Sequence, residues 1–116
     1  MTKITIQEKI YCFALRVIAL YREMVSHNEF VLSKQVLKSG TSIGANIEEA
    51  QAGQSRADFL SKMSIASKEA RETRYWLRLI RDSKILETKD VTLMLAEADE
   101  LVRILSSIVK TTATSK

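Results

Sequence analysis

No proline occurs anywhere in the 116 residues, and the three glycines, Gly40, Gly44 and Gly53, all fall within one stretch, SGTSIGANIEEAQAGQS at 39–55. Proline and glycine interrupt helices most strongly, so the sequence on either side is free to run in long helices. Apolar side chains recur there in alternating steps of four and three, the spacing of one helical stripe. Ile6, Ile10, Phe13, Val17, Leu20 and Met24 form the first stripe, and Val36, Gly40, Ile43, Ile47 and Ala50 the second. Phe59, Met63, Ala66, Ala70, Thr73, Leu77 and Ile80 form the third, and Val91, Leu95, Ala98, Val102, Leu105 and Val109 the fourth. The spacing predicts helices over about 4–27, 33–52, 55–82 and 88–110, with a tail at 111–116 that frays.

Helix punctuation agrees with those limits. His27 and Asn28 suit a helix C-terminus, and Ser33 is a candidate N-cap for the second helix. Gly53 is expected to supply a left-handed residue that closes the second helix, and Ser55, three residues before Asp58, to cap the third. Thr88 is expected to open the fourth. Four long helices with short links must fold back on their neighbours. The expected fold is all-α, a single domain over 1–116 built as an antiparallel up-down-up-down four-helix bundle.

Composition enters where it limits function. Apolar residues make up 46% and charged residues 28%, the balance of a globular chain. The lone cysteine, Cys12, allows no internal disulfide and no metal spacing; its place beside the first apolar stripe suggests a small packing residue. The N-terminal apolar stretch is interrupted by Arg16 and lacks a cleavage site, and no run is long enough to span a membrane, so a cytoplasmic protein with no membrane partner is expected. Two helices carry more apolar surface than one bundle core needs. Tyr11, Ala14, Ile18, Tyr21 and Val25 lie beside the first stripe, and Leu93, Leu101, Ile104 and Ile108 lie outside the fourth. A wider core or a homo-oligomer would each use that surface.

Enzyme chemistry finds no pattern to rest on. The segment GTSIGAN lacks the Lys-Ser/Thr ending of a phosphate loop and the Gly-x-Ser-x-Gly of a nucleophile elbow, and no strand precedes it. His27, the single histidine, reads as a capping or solvated residue. Adjacent Glu48 and Glu49 point in different directions on a helix and cannot converge. No cofactor, metal or small-molecule substrate is expected.

The net charge of +4 is unevenly placed. Residues 55–86 hold eight Lys/Arg against four Asp/Glu, whereas 1–54 hold six against five and 87–116 four against five. Within KEARETRYWLRLIRD, Arg71, Arg74, Arg78 and Arg81 share one side of the third helix; Lys68 extends the row and Tyr75 borders it. Fixed guanidinium groups beside an aromatic ring suit a phosphate backbone with accessible bases, RNA or DNA. The other reading is a structural ion-pair face, in which Lys68 pairs with Glu72 and Arg74 and Arg81 meet Glu97 or Glu100 of the fourth helix. The protein would then be a scaffold or adaptor for other proteins. Trp76, on the opposite flank, reads as a packing residue within the bundle or between subunits.

SGTSIGANIEEA, followed by SRADFLSKMSIASKEARETRYWLRLI, resembles the small four-helix-bundle proteins associated with intervening sequences in 23S ribosomal RNA genes, often labelled the S23 ribosomal protein family. The matching motif falls on Ser42, Ala45, Asn46, Ile47 and Glu49, and continues through Ser55, Phe59, Ala66, Glu69, Tyr75, Trp76 and Leu77. The resemblance implies a four-helix bundle, with ring-like pentamers among the members and no established activity for most. Its relatives include the accessory variability proteins of diversity-generating retroelements, basic pentameric barrels that bind nucleic acid and partner a reverse transcriptase. Many relatives have Gly-Ser where this chain has Ser67-Lys68, which marks a subgroup. On helix 2, Ser39, Ser42, Asn46 and Glu49 form a polar strip that would tie helices together or line a subunit contact. Gly40 and Gly44 each cost roughly 1 kcal/mol relative to alanine inside a helix, which a close approach by another helix would justify.

Overall fold

The computed structural model describes residues 4–86 and 89–114. Its four helices are α1 (Ile6–Ser26), α2 (Leu32–Gln51), α3 (Arg56–Ser83) and α4 (Lys89–Thr114). Thr88, expected to open α4, lies outside the described residues. The expected fraying from 111 is not seen at 111–114: α4 continues to Thr114, whose hydroxyl donates to the Lys110 carbonyl at 3.0 Å.

Each helix end has its own local cause. Thr5 and Glu8 form a reciprocal capping box at the start of α1, each side chain meeting the other's backbone N–H at 3.1 Å. After α1 the chain turns at Asn28, whose φ of 63° is the left-handed geometry that asparagine tolerates. The N-cap expected from Ser33 is not formed. Ser33 lies buried within the first turn, and the Glu29 carboxylate caps α2 by accepting from the Ser33 N–H at 3.0 Å. Gly53 also departs from expectation, because no glycine here has a positive φ. The space around it is tight instead: an added Cβ would lie 3.2 Å from the Ala50 carbonyl oxygen and 3.3 Å from the Asp58 Cβ. Ser55 does cap α3, accepting from the Asp58 N–H at 3.0 Å. The left-handed closure of α3 falls on Lys84, with φ 58°.

The apolar stripes meet along the bundle axis. Phe13, Val17, Ile43, Ile47, Met63, Leu77, Ile80 and Leu105 are among the fully buried core, while Ile6, Phe59 and Val109 pack partly buried at its margins. α1 lies on α2, α2 on α3 and α3 on α4; α1 and α4 are the least closely packed of the neighbouring pairs. The cross-helix pairs run in opposite chain directions, as an antiparallel bundle requires. Lys9 pairs with Glu100 and Arg16 with Glu97 across α1–α4, Thr73 with Ser39 and Lys62 with Glu49 across α2–α3.

α1 reaches α2 so closely that a Cβ on Gly40 would stand 2.7 Å from the Val17 Cγ1, and one on Gly44 3.3 Å from the Ile10 Cγ2. The missing side chain at Gly40 is thus what lets the two backbones pack at this depth. On the other side of α1 the seam is wider. Met94 and Leu101, seven residues apart on one stripe, turn into it, so Leu101 belongs to the core rather than outside it. Ile104 and Ile108 are half-buried, and Leu93 stays exposed. The second stripe on α1 divides likewise: Ala14, Tyr21 and Val25 are half-buried, while Tyr11 and Ile18 face outward. Cys12 is exposed, not packed, because one step past the stripe it points away from the core. His27 completes the C-terminus of α1, its Nδ1 2.9 Å from the Glu23 carbonyl oxygen.

Candidate nucleic-acid interface

The basic row is fixed by the rigid length of α3, and the groove it borders is closed by α4. Arg71 reaches across to α4 and donates from Nη2 to the Ser106 hydroxyl at 3.1 Å. Arg74, half-buried, stands 3.5 Å from the Asp99 carboxylate. Arg81 turns back on its neighbour, donating to both Asp82 carboxylate oxygens at 2.7 and 3.3 Å. That hydrogen bond holds the Asp82 carboxyl below the usual carboxylate range and raises the Arg81 guanidinium. Lys68 and Arg78 make no ion pair or hydrogen bond among the described residues. The row therefore divides into restrained members, Arg74 and Arg81, and members with charge to spare, Lys68, Arg71 and Arg78.

Two expected pairings do not form. Glu97 and Glu100 turn away from α3 and serve α1, Glu97 accepting from the Arg16 Nε at 2.8 Å and Glu100 pairing with Lys9. Glu72 does not hold Lys68 either. Its carboxylate accepts from the Trp76 indole N–H at 3.1 Å. Trp76 is half-buried against the core, and the ring of Tyr75 meets it edge-on, centroids 5.2 Å apart at 64°. Tyr75 itself is 51% exposed and lies open beside the cations.

α4 contributes cations that the segment-by-segment charge count concealed. Asp99, Arg103, Ser106 and Lys110 follow four-three-four spacing and so occupy one edge of the helix. Asp99 and Ser106 touch α3, which places Arg103 and Lys110 on the same edge, exposed and without partners among the described residues. Glu97 and Glu100 occupy the edge facing α1. The helix is nearly neutral in sum yet polarised in cross-section. Its helical spacing was the signal that could have found Arg103 and Lys110.

Residues singled out for helix packing or subunit contact have partners within the chain. Gly40 and Gly44 lie against α1. The Asn46 amide donates to the Ser42 carbonyl at 2.9 Å, Glu49 pairs with Lys62 at 3.2 Å, and Ser39 accepts from the Thr73 hydroxyl at 2.9 Å. Glu69, on the α2 side of α3, has its carboxyl pushed up by burial and by Glu72, against the opposing pull of Lys68 and Lys38. Among the described residues no three His, Cys, Asp or Glu side chains gather as a metal site, and no helix is long and apolar enough to cross a membrane.

A family model described as 23S rRNA-intervening sequence protein matches residues 2–107. No curated protein matches the chain. A crystal structure of a protein of unknown function from the S23 ribosomal protein family of Bacteroides thetaiotaomicron superposes with a TM-score of 0.88 at 45% identity, covering 92% of this chain and 100% of that one. The helix order, the packed seams and a match running through nearly the whole bundle lead to one assignment: the chain belongs to the 23S rRNA-intervening sequence protein family.

Proposed function

We propose that this protein is a non-enzymatic, self-associating helical bundle of the cytoplasm that holds RNA or DNA along its α3/α4 face. The observation that carries the reading is the sorting of charge on α4. Its acids Glu97 and Glu100 are engaged by α1, while Arg103 and Lys110 lie on the edge beside Lys68, Arg71 and Arg78 of α3. Cations without intramolecular partners gain most from a phosphate backbone, because the counterions they displace are released. Exposed Tyr75 adds a surface on which an unpaired base can stack.

Self-association is supported by the outer side of α1, where Tyr11, Leu15 and Ile18 are all exposed, with exposed Ile4 just before the helix; Tyr11 is 65% and Leu15 51% accessible. The family resemblance makes a pentamer the expected assembly. Light scattering at micromolar concentration reads this directly, and a monomer mass would remove self-association from the proposal.

Labelled single- and double-stranded RNA and DNA, titrated with protein across a salt series, test the nucleic-acid part. Affinity is expected to fall steeply as salt rises, with the log–log slope counting the phosphates neutralised. Absence of binding at low salt would leave the second reading, a scaffold for another protein such as a reverse transcriptase. The Arg74–Asp99 and Arg81–Asp82 pairs favour that reading, since they spend two of the row's charges inside the chain.

A further inference from the structure

Within the α3/α4 groove lies a shallow notch of about 250 Å³, lined by Ser64, Ser67, Lys68, Arg71 and Val109. The four α3 residues follow three-one-three spacing, so one face of one helix supplies them. No acidic side chain lines the notch. Lys68 makes no ion pair or hydrogen bond among the described residues, and Arg71 is steadied by Ser106 at 3.1 Å. That bond uses one guanidinium N–H and leaves others to reach a ligand.

Ser67 is the independent observation. It is only 8% exposed, yet among the described residues its hydroxyl has no hydrogen-bond partner. The side chain is thus held in place by burial while its oxygen stays open to the notch, where it lies beside two cations and is free to donate to a bound group. We infer that the notch seats one backbone phosphate of the bound nucleic acid, with Lys68 and Arg71 supplying the charge and Ser67 a hydroxyl donor. The inference rests on the nucleic-acid reading above. It adds a fixed seat to what would otherwise be a diffuse electrostatic surface, and so a register for the strand on the groove.

Anisotropy titrations of the full chain with labelled single-stranded RNA separate the two claims. If wild-type protein binds, Ser67→Ala is expected to weaken affinity about tenfold while leaving the salt slope unchanged, since it removes a hydrogen bond to a charged group and no charge. Lys68→Gln, an exposed change with no packing consequence, is expected to weaken affinity and lower the slope by about one. Thermal melts establish that both variants are folded. Wild-type binding with Ser67→Ala and Lys68→Gln both indistinguishable from it would overturn the seat while leaving the wider reading intact. Failure of the wild type itself to bind would overturn the wider reading, and the seat with it. Inorganic phosphate, compared with chloride at matched ionic strength, is expected to leave the melting temperature unchanged. A phosphate-specific rise abolished by Lys68→Gln, with RNA affinity unaffected by Ser67→Ala, would mean a free-anion site and overturn the inference.

Discussion

The two edges of α4 solve the same problem in opposite ways. Toward α1, the less closely packed of its two neighbours, its acids meet Lys9 and Arg16 and the seam is neutralised within the chain. Toward α3, one acid, Asp99, stands at 3.5 Å from Arg74, and Arg103 and Lys110 are left beside a row of further cations. Exposed ion pairs contribute little to stability, so the first edge is better understood as charge cancellation than as a strong clamp. α1 is held chiefly by its buried stripe and by the close approach at Gly40. The groove, in contrast, carries charge that the fold does not consume. One side of the bundle cancels its charge within the fold, and the other keeps the cations on which the proposed binding rests.

The largest effect is expected where structure is built. Gly40→Leu must displace Val17 from a contact that already lacks room for a methyl group, and a loss of about 3 kcal/mol is expected from such overpacking. Denaturant unfolding checks this, and wild-type stability in that variant would remove the close-approach argument. On the binding side, Arg71→Ala combined with Arg78→Ala is expected to lower the salt slope of nucleic-acid binding by about two. Stability should change within about 0.5 kcal/mol for each substitution, as for other surface changes. A large stability loss there would erase the distinction between the two sides. Asp99→Asn sharpens it from the opposite sign. Releasing Arg74 should raise affinity and steepen the slope by about one.

The smallest effect concerns Glu69. Its carboxyl is pushed up by burial, so the folded state holds the proton more tightly than the unfolded chain does. Its contribution to stability is therefore greatest at acid pH and declines as pH rises through the folded value. Glu69→Gln should raise the melting temperature slightly at neutral pH and flatten this part of the pH profile.

The fold was legible because its principal signal is periodic. The four-three spacing from Ile10 to Met24 and from Met63 to Ile80 names a buried stripe without reference to anything else in the chain. Features that depend on a second element were not legible. The Glu29 cap of α2 replaces Ser33 because of how the preceding turn places a carboxylate, and Leu101 enters the core because the α1–α4 seam is wide. Gly53 sits in a tight space beside Ala50 and Asp58 rather than at a left-handed dihedral angle. In the candidate site, the α3 row could be read directly, but the pairing of its members could not. Glu72 chooses Trp76 over Lys68, and Glu97 chooses Arg16 over the arginines of α3. Arg103 and Lys110 escaped notice because a sum over residues 87–116 averages two edges that face different neighbours.

The central claim is that the place of a cation, not net charge, determines binding. Two double variants remove the same charge from exposed side chains: Arg103→Ala with Lys110→Ala on the groove edge of α4, and Lys34→Ala with Lys38→Ala on α2. Measured with one labelled single-stranded RNA across a salt series, the groove variant should lose about two units of log–log slope, and the α2 variant should match wild type. Equal losses in the two variants would contradict the account.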